Sequence, residues 1–330
     1  MITVIALAVL FTDHIDIVVE RPTRRIIVDA GAGGYQAFPD VCRLKNGDLY
    51  CVFYAGYGHV SFPSDEHPKG GRICAVRSSD EGASWSKPET IIDTPLDDRD
   101  PSVACLPDGT LLLNFFIYGP GNRFDTMISK SQDGGRTWSD PKLVLPSFAT
   151  STPIRRLRNG NLLMPVYTVD ASQRKYAAVC ISRDKGNTWS SPRPIGLNAG
   201  RTIDETDLIE RKDGSVAAFS REVMTVSESK DGGWTWSEPT PLPFTGHCPS
   251  LLMTSQGILL MAHRLPQTSL RYSLDEGRTW SDGVMIDDFI GAYPSMVQLK
   301  DGRVLCVYYE EGPGSAIRAA YIQIRKAPSR

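Results

Sequence analysis

The sequence predicts an all-β fold, a six-bladed β-propeller. Three observations carry that prediction: one turn motif recurs five times, a separate series of hairpin turns counts six, and no stretch of useful length has helical periodicity. The motif is S-x-D-x-G-x-x-W, at Ser78/Asp80/Gly82/Trp85, Ser131/Asp133/Gly135/Trp138, Ser182/Asp184/Gly186/Trp189, Ser229/Asp231/Gly233/Trp236 and Ser273/Asp275/Gly277/Trp280. It uses five of the six tryptophans, and successive copies lie 44 to 53 residues apart, a spacing that suits propeller blades. As chemistry it reads as a tight hairpin. The Asp side chain accepts backbone N–H groups, Gly takes the positive φ, and Trp fills the space between neighbouring sheets.

The second series is an apolar strand, a turn ending in Gly, and another apolar strand, at Asn46-Gly47, Asp108-Gly109, Asn159-Gly160, Asp213-Gly214, Gln256-Gly257 and Asp301-Gly302. The sixth unit has Gly312-Pro313-Gly314-Ser315 where the others carry the Asp motif. A last blade must also close the ring, so the sequence divides into an N-terminal segment, 1–35, and a propeller domain, 36–330. The apolar run Met1 to Phe11 admits two readings. Its Val/Ile content suits an outer or closing strand, and its hydrophobicity suits a degenerate secretory signal, although no Lys or Arg precedes it and no small-x-small site follows.

Composition narrows the partner. With 41% hydrophobic and 22% charged residues, a net charge of −2 and no basic run, the chain has the balance of a globular protein without a nucleic-acid surface. No apolar stretch is long enough to span a bilayer as a helix. The seven cysteines stand singly with no C-x-x-C pair; as buried thiols they favour a reducing, cytoplasmic setting, with a secreted or periplasmic one as the alternative. The five histidines show no metal-ligand spacing, and the glycine run Gly31-Ala32-Gly33-Gly34 leads into no helix that would cradle a phosphate. Neither a metal nor a cofactor is predicted.

In a propeller the innermost strand of every blade runs along the central axis, so residues at equivalent positions converge on one funnel. Seven or eight residues before each turn glycine stand Pro39, Pro101, Pro153, Thr206, Pro249 and Pro294. The residues before these are Phe38, Asp100, Thr152, Glu205, Cys248 and Tyr293, preceded by Ala37, Arg99, Ser151, Asp204, His247 and Ala292. A purely structural ring needs no acids. Asp100, Asp204 and Glu205 near one axis are costly without cationic or hydrogen-bonding partners.

On these repeats and on the run Glu205-Thr206-Asp207-Leu208 with Arg221 sixteen residues after the glutamate, the chain resembles the sialidase superfamily over nearly its full length. The resemblance implies a retaining exo-glycosidase that releases a terminal acidic sugar, with a glycan or small sugar as its partner. It implies that Glu205 is the catalytic base and Arg221 a ligand of the substrate carboxylate. Tyr293, in Gly291-Ala292-Tyr293-Pro294-Ser295 ahead of Val307-Tyr308-Tyr309-Glu310, is similar to the family's nucleophilic tyrosine. A neutral phenol can approach an anomeric carbon that bears a carboxylate, where an anionic nucleophile would be repelled. The family's acid/base aspartate sits in a first-blade loop, here Gly58 to Gly71. Its Ser64-Asp65-Glu66-His67 offers Asp65, with Glu66 as the second choice and a plain solvated turn as the structural alternative.

Where the family opens its first blade with F-R-I-P, this chain reads Gln36-Ala37-Phe38-Pro39, and Tyr54-Ala55-Gly56-Tyr57 stands where Y-D-G-R is expected. Two arginines are therefore missing. Arg264 is the candidate for the third clamp arginine, with Arg271 the alternative, and Arg99 with Asp100 is the candidate replacement in the pocket. The Asp97-Asp98-Arg99-Asp100 cluster suits a structural ion-pair network equally well. Two other functions stay open: a glycosidase or lyase acting on another sugar, and a sugar-binding propeller without catalysis.

Overall fold

The computed structural model describes residues 15–29, 32–169, 174–196, 202–221, 223–288, 291–312 and 315–326. Its strands form six antiparallel sheets, each a blade. The first blade is Tyr35–Arg43, Leu49–Gly56, Arg72–Ser78 and Glu89–Ile92, with the strands in chain order from the axis outwards. Four more sheets repeat that plan, opening on Asp97–Cys105, Arg155–Arg156, Thr206–Glu210 and His247–Met253. The sixth begins Gly291–Gln298, Val304–Glu310, Ile317–Lys326 and is completed by Ile15–Val19 from the other end of the chain, while Arg25–Val28 also pairs with Ile317–Lys326. Met1 to Phe11 lies outside the described residues; the strand that closes the ring is Ile15–Val19, paired from Ile15 with Lys326 to Val19 with Ile322. Among the described residues no helix is long and apolar enough to cross a membrane.

The Asp motif lies between the third and fourth strands of its blade and works as a closed hydrogen-bond unit. Asp133 Oδ1 accepts from Ser131 Oγ at 2.8 Å and from the N–H groups of Arg136 and Thr137 at 3.0 and 2.9 Å, and Thr137 Oγ1 donates to Oδ2 at 2.6 Å. The turn needs two successive left-handed residues rather than the one expected. Glu81 (φ 60°) precedes Gly82 (φ 85°), and the second and fourth copies put glycine in both places, Gly134-Gly135 and Gly232-Gly233. The six glycine turns join first to second strands on this same face of the disc, so the connections at the opposite face are free to build a site.

Apolar side chains of adjacent sheets interdigitate to form the core. Tyr50 of the first blade stacks near Trp138 of the second at 6.4 Å, and Trp280 of the fifth meets fully buried Phe219 of the fourth at 5.5 Å. Two aspartates stitch blades near the axis. Asp40 accepts from Ser295 Oγ of the sixth blade at 2.6 Å and from Val103 N of the second at 2.7 Å. Asp207 is gripped by Arg155 at 2.8 and 2.5 Å and by Leu251 N at 2.7 Å. Each carboxylate thus ties its own blade to both neighbours.

Candidate active site

Two rings of side chains build the site. The first is the register series anticipated at the strand openings. Phe38, Asp100, Thr152, Glu205, Cys248 and Tyr293 all line one axial cavity of about 30 Å³. A backbone device aims four of them. Phe38, Asp100, Cys248 and Tyr293 have φ of 53, 48, 53 and 47°, and at each the pairing slips by a residue, between Ala37 and Asp40, Arg99 and Ser102, His247 and Ser250, Ala292 and Ser295. These are β-bulges in which a non-glycine residue is held left-handed ahead of a proline, a strain on the order of 1–3 kcal/mol each. Strain of that kind, repeated at one functional level of the axis, is expected where side chains must be re-aimed.

The second ring stands at the ends of the second strands. Tyr54, Phe116, Tyr167, Arg221, Arg264 and Tyr309 each lie seven residues after their blade's turn glycine. This places Arg264 in register with Arg221. Arg271 is elsewhere: it sits 4.1 Å from the Phe244 ring and donates to Ser281 O at 2.7 Å.

Where the rings meet, Tyr293 Oη donates to Glu205 Oε1 at 2.5 Å, and Arg221 Nη1 donates to Glu205 Oε2 at 2.8 Å. Arg221 Nε stands 3.4 Å from Asp204 Oδ1, and Lys175 Nζ bonds Asp204 Oδ2 at 3.0 Å. Burial pushes the Glu205 carboxyl up, but the Arg221 charge and the bonds from Tyr293 and Arg221 outweigh it and hold the group below its ordinary value. Burial and the adjacent Glu205 charge push the Tyr293 phenol well up. At neutral pH the pair is a carboxylate accepting from a neutral phenol. Arg264 lies over the Tyr293 ring, its Cζ 5.8 Å from the centroid, with Nε buried and unbonded and no carboxylate partner among the described residues.

The Asp97–Asp100 cluster divides its labour. Asp97 accepts from Ser61 N at 3.0 Å, Gly71 N at 3.1 Å and Tyr54 Oη at 2.9 Å, pinning both ends of the first-blade loop, and Asp98 is held by Thr94. Arg99 and Asp100 face the site. Buried Arg99 donates to His59 O at 2.5 Å and sits 5.1 Å from the Phe38 ring and 5.7 Å from Tyr54. Ala37 is fully buried, and an aromatic edge, Phe38 against Tyr293 at 5.0 Å, occupies the first-blade wall.

Asp100 Oδ2 accepts from Ser151 Oγ at 2.9 Å, while Oδ1 is buried and unbonded. Burial pushes this carboxyl up to about 6 against the pull of Arg99, with the Glu205 charge adding to the rise. A folded value of about 6 above an ordinary 3.8 means that the folded protein resists ionisation. That penalty is absent below the lower value and complete above the higher one. Asp100→Asn is therefore expected to be more stable than the wild type at pH 7.5 by about 1–3 kcal/mol, with the difference shrinking as pH falls from 6 towards 4. Paired thermal melts across that range check it, and a gap that widens in acid would show the sign to be wrong.

Asp65 is not drawn into the cluster. It and Glu66 are exposed on the loop and bond to nothing among the described residues. The loop residue that does reach the site is His59. Its ring packs 5.4 Å from Phe38, its Nδ1 lies 3.1 Å from Tyr35 Oη, and Tyr35 in turn donates to Glu311 at 2.8 Å. Burial and Arg99 hold His59 below its ordinary value. Sequence reasoning passed over His59, Tyr167 and Lys175. The spacing from the turn glycine finds Tyr167, but no local pattern marks the other two.

Residues 75–306 match the family model described as a BNR repeat-like domain. The chain belongs to the BNR repeat-like family, within the sialidase propeller superfamily. It is 26% identical to a sialidase of Micromonospora viridifaciens over 88% of its own length and 53% of the relative's, so it spans about half of that curated protein. Among solved structures it is similar to a Dyadobacter fermentans protein of unknown function, with a TM-score of 0.80, 24% identity and coverage of 93% and 99% of the two chains. A Hadza microbial sialidase gives 0.75 at 19% identity, covering 90% of this chain and 68% of the other. A leech intramolecular trans-sialidase complexed with 2,7-anhydro-Neu5Ac gives 0.74 at 15%, covering 92% and 70%. These likenesses are of fold, the six-bladed propeller.

Proposed function

We propose that this chain is a retaining exo-glycoside hydrolase of sialidase type that releases a terminal acidic sugar. The observation that carries the reading is the 2.5 Å contact between the Tyr293 phenol and a Glu205 carboxylate kept ionised by Arg221. In the first step the Tyr293 oxygen attacks the anomeric carbon while Glu205 takes the phenolic proton and an acid protonates the departing oxygen. In the second, the conjugate base of that acid takes a proton from water as the water displaces Tyr293, and Tyr293 regains its proton from Glu205. Asp65 is proposed as the acid/base, brought over the bond by its loop. Arg221 and Arg264 are proposed as ligands of the sugar's acidic group, and Arg99 with Asp100 as the shapers of the pocket. Arg264 supports the acidic-sugar reading most directly, since a partly buried guanidinium without a carboxylate partner among the described residues has charge to offer a ligand.

The test is a panel of aryl glycosides of nonulosonic acids, uronic acids and neutral sugars, with product stereochemistry followed by NMR. Retention with an acidic glycon is the expected result. Inversion overturns the Tyr293 mechanism, and saturable binding without turnover favours a sugar-binding propeller. On the substrate found, Asp65→Ala should slow glycosides with poor leaving groups by about 10²-fold or more while sparing activated aryl ones. Equal losses remove Asp65 from the reaction.

A further inference from the structure

We propose that the site's rim on the first and second blades, formed by Val60 and Phe62 with Tyr118, is a subsite for an apolar leaving group, alkyl or aryl; the inference rests on the glycosidase reading. Ser61 between the two apolar residues is 4% exposed and turned inward, its N–H on Asp97 Oδ2 at 3.0 Å and its Oγ 2.8 Å from Tyr54 Oη. Anchoring the middle residue drives its neighbours the other way, and Val60 and Phe62 are each 41% exposed. Phe62 lies 5.1 Å from the Tyr118 ring, and Tyr118 stacks on Phe124 at 5.1 Å.

Inward of the rim the contacts pass through buried side chains, Arg99 and Phe38 being 6% and 2% exposed. Arg99 is 6.0 Å from Tyr118 and 5.1 Å from Phe38, and Phe38 is 5.0 Å from Tyr293. Single exposed apolar side chains need no explanation, but a contiguous set leading from a reaction centre to the solvent lies on the path of the departing group. A sugar in that position would need polar partners. The polar groups beside the ridge, Ser61, Tyr54 and Asp97, bond to one another beneath it, so the ridge rewards burial of hydrocarbon.

Methyl, octyl and galactosyl glycosides of the glycon identified by the aryl panel decide the matter, because methanol and octanol differ as leaving groups chiefly in apolar area, while galactose offers hydroxyls in place of hydrocarbon. The wild type is expected to favour octyl over methyl by about tenfold in kcat/KM, what burying roughly two methylene groups gives, chiefly through KM. In the Val60→Ser/Phe62→Ser double variant that preference should fall to within about twofold, with methyl glycoside turnover unchanged. Equal rates on octyl and methyl glycosides by the wild type overturn the proposal. So does preference for the galactosyl glycoside, or concentration-dependent self-association that the double variant abolishes without any leaving-group effect. Failure of the wild type to turn over any glycoside in the aryl panel overturns the glycosidase reading itself, and is thereby distinguished from failure of the subsite alone.

Discussion

Tyr293→Phe is expected to bring turnover down to background, and Glu205→Gln to lower kcat by about 10²–10⁴-fold, with both variants folded. The two losses have different origins. Phenylalanine removes the attacking oxygen, so no covalent glycosyl-enzyme can form. Glutamine keeps an acceptor near the phenol but cannot take its proton, so Tyr293 would have to attack without losing it. The phenol is buried beside an anionic partner and held protonated, so a base in contact is a requirement for nucleophilicity. The pH profile carries a second signature. Glu205 is held below its ordinary 4.5, so the wild-type acid limb governed by this group should lie below that value and vanish in Glu205→Gln. Intact-mass analysis during turnover should find the glycosyl adduct on the wild type and none on Tyr293→Phe. Wild-type rates in Tyr293→Phe would remove the nucleophile assignment.

How far the sequence could see is set by which features repeat. The Asp motif and the glycine turns each write one blade's geometry into local residues, so blade number and the first ring, from Phe38 to Tyr293, follow from spacing alone. The second ring obeys the same arithmetic, and applying it would have separated Arg264 from Arg271 and shown Tyr167. The bulges were not legible, because Phe38, Asp100, Cys248 and Tyr293 have nothing in common beyond the position after them. Left-handed backbone at a residue with a full side chain is imposed by pairing on both sides, not by local preference. His59 and Lys175 were hidden for another reason. His59 reaches the site from a connection outside the repeated strands, by its carbonyl on Arg99, and Lys175 from the first residue of the strand Lys175–Ser182, by a bond to Asp204. The strand that closes the ring, Ile15–Val19, alternates between buried or half-buried and more exposed residues, a weak sequence signal that pairing to Ile317–Lys326 makes decisive.

Arg221→Met should cost about 3–5 kcal/mol of stability, the penalty of stranding buried charge, and lower the melting temperature by on the order of 5–10 °C. The cause is the pair of acids that share this guanidinium. Glu205 and Asp204 are 5% and 1% exposed, and without Arg221 only Lys175, on Asp204, remains as an ion-pair partner among the described residues. Their pH signatures differ in sign. Glu205, held below its ordinary value, contributes stability that is present above its unfolded pKa and lost as pH falls through the folded one. Burial and the Glu205 charge raise Asp204, so its ionisation costs stability as pH rises. The wild-type advantage over Arg221→Met should therefore be largest near neutrality and fade in acid, where both carboxyls become neutral. Removing the charges tests the same account from the other side: Asp204→Asn with Glu205→Gln, added to Arg221→Met, should recover most of the lost stability, because no acid remains for the missing guanidinium to compensate. If the triple variant melts as low as Arg221→Met alone, the loss comes from packing around the arginine's aliphatic stem, and the electrostatic account of this cluster is wrong.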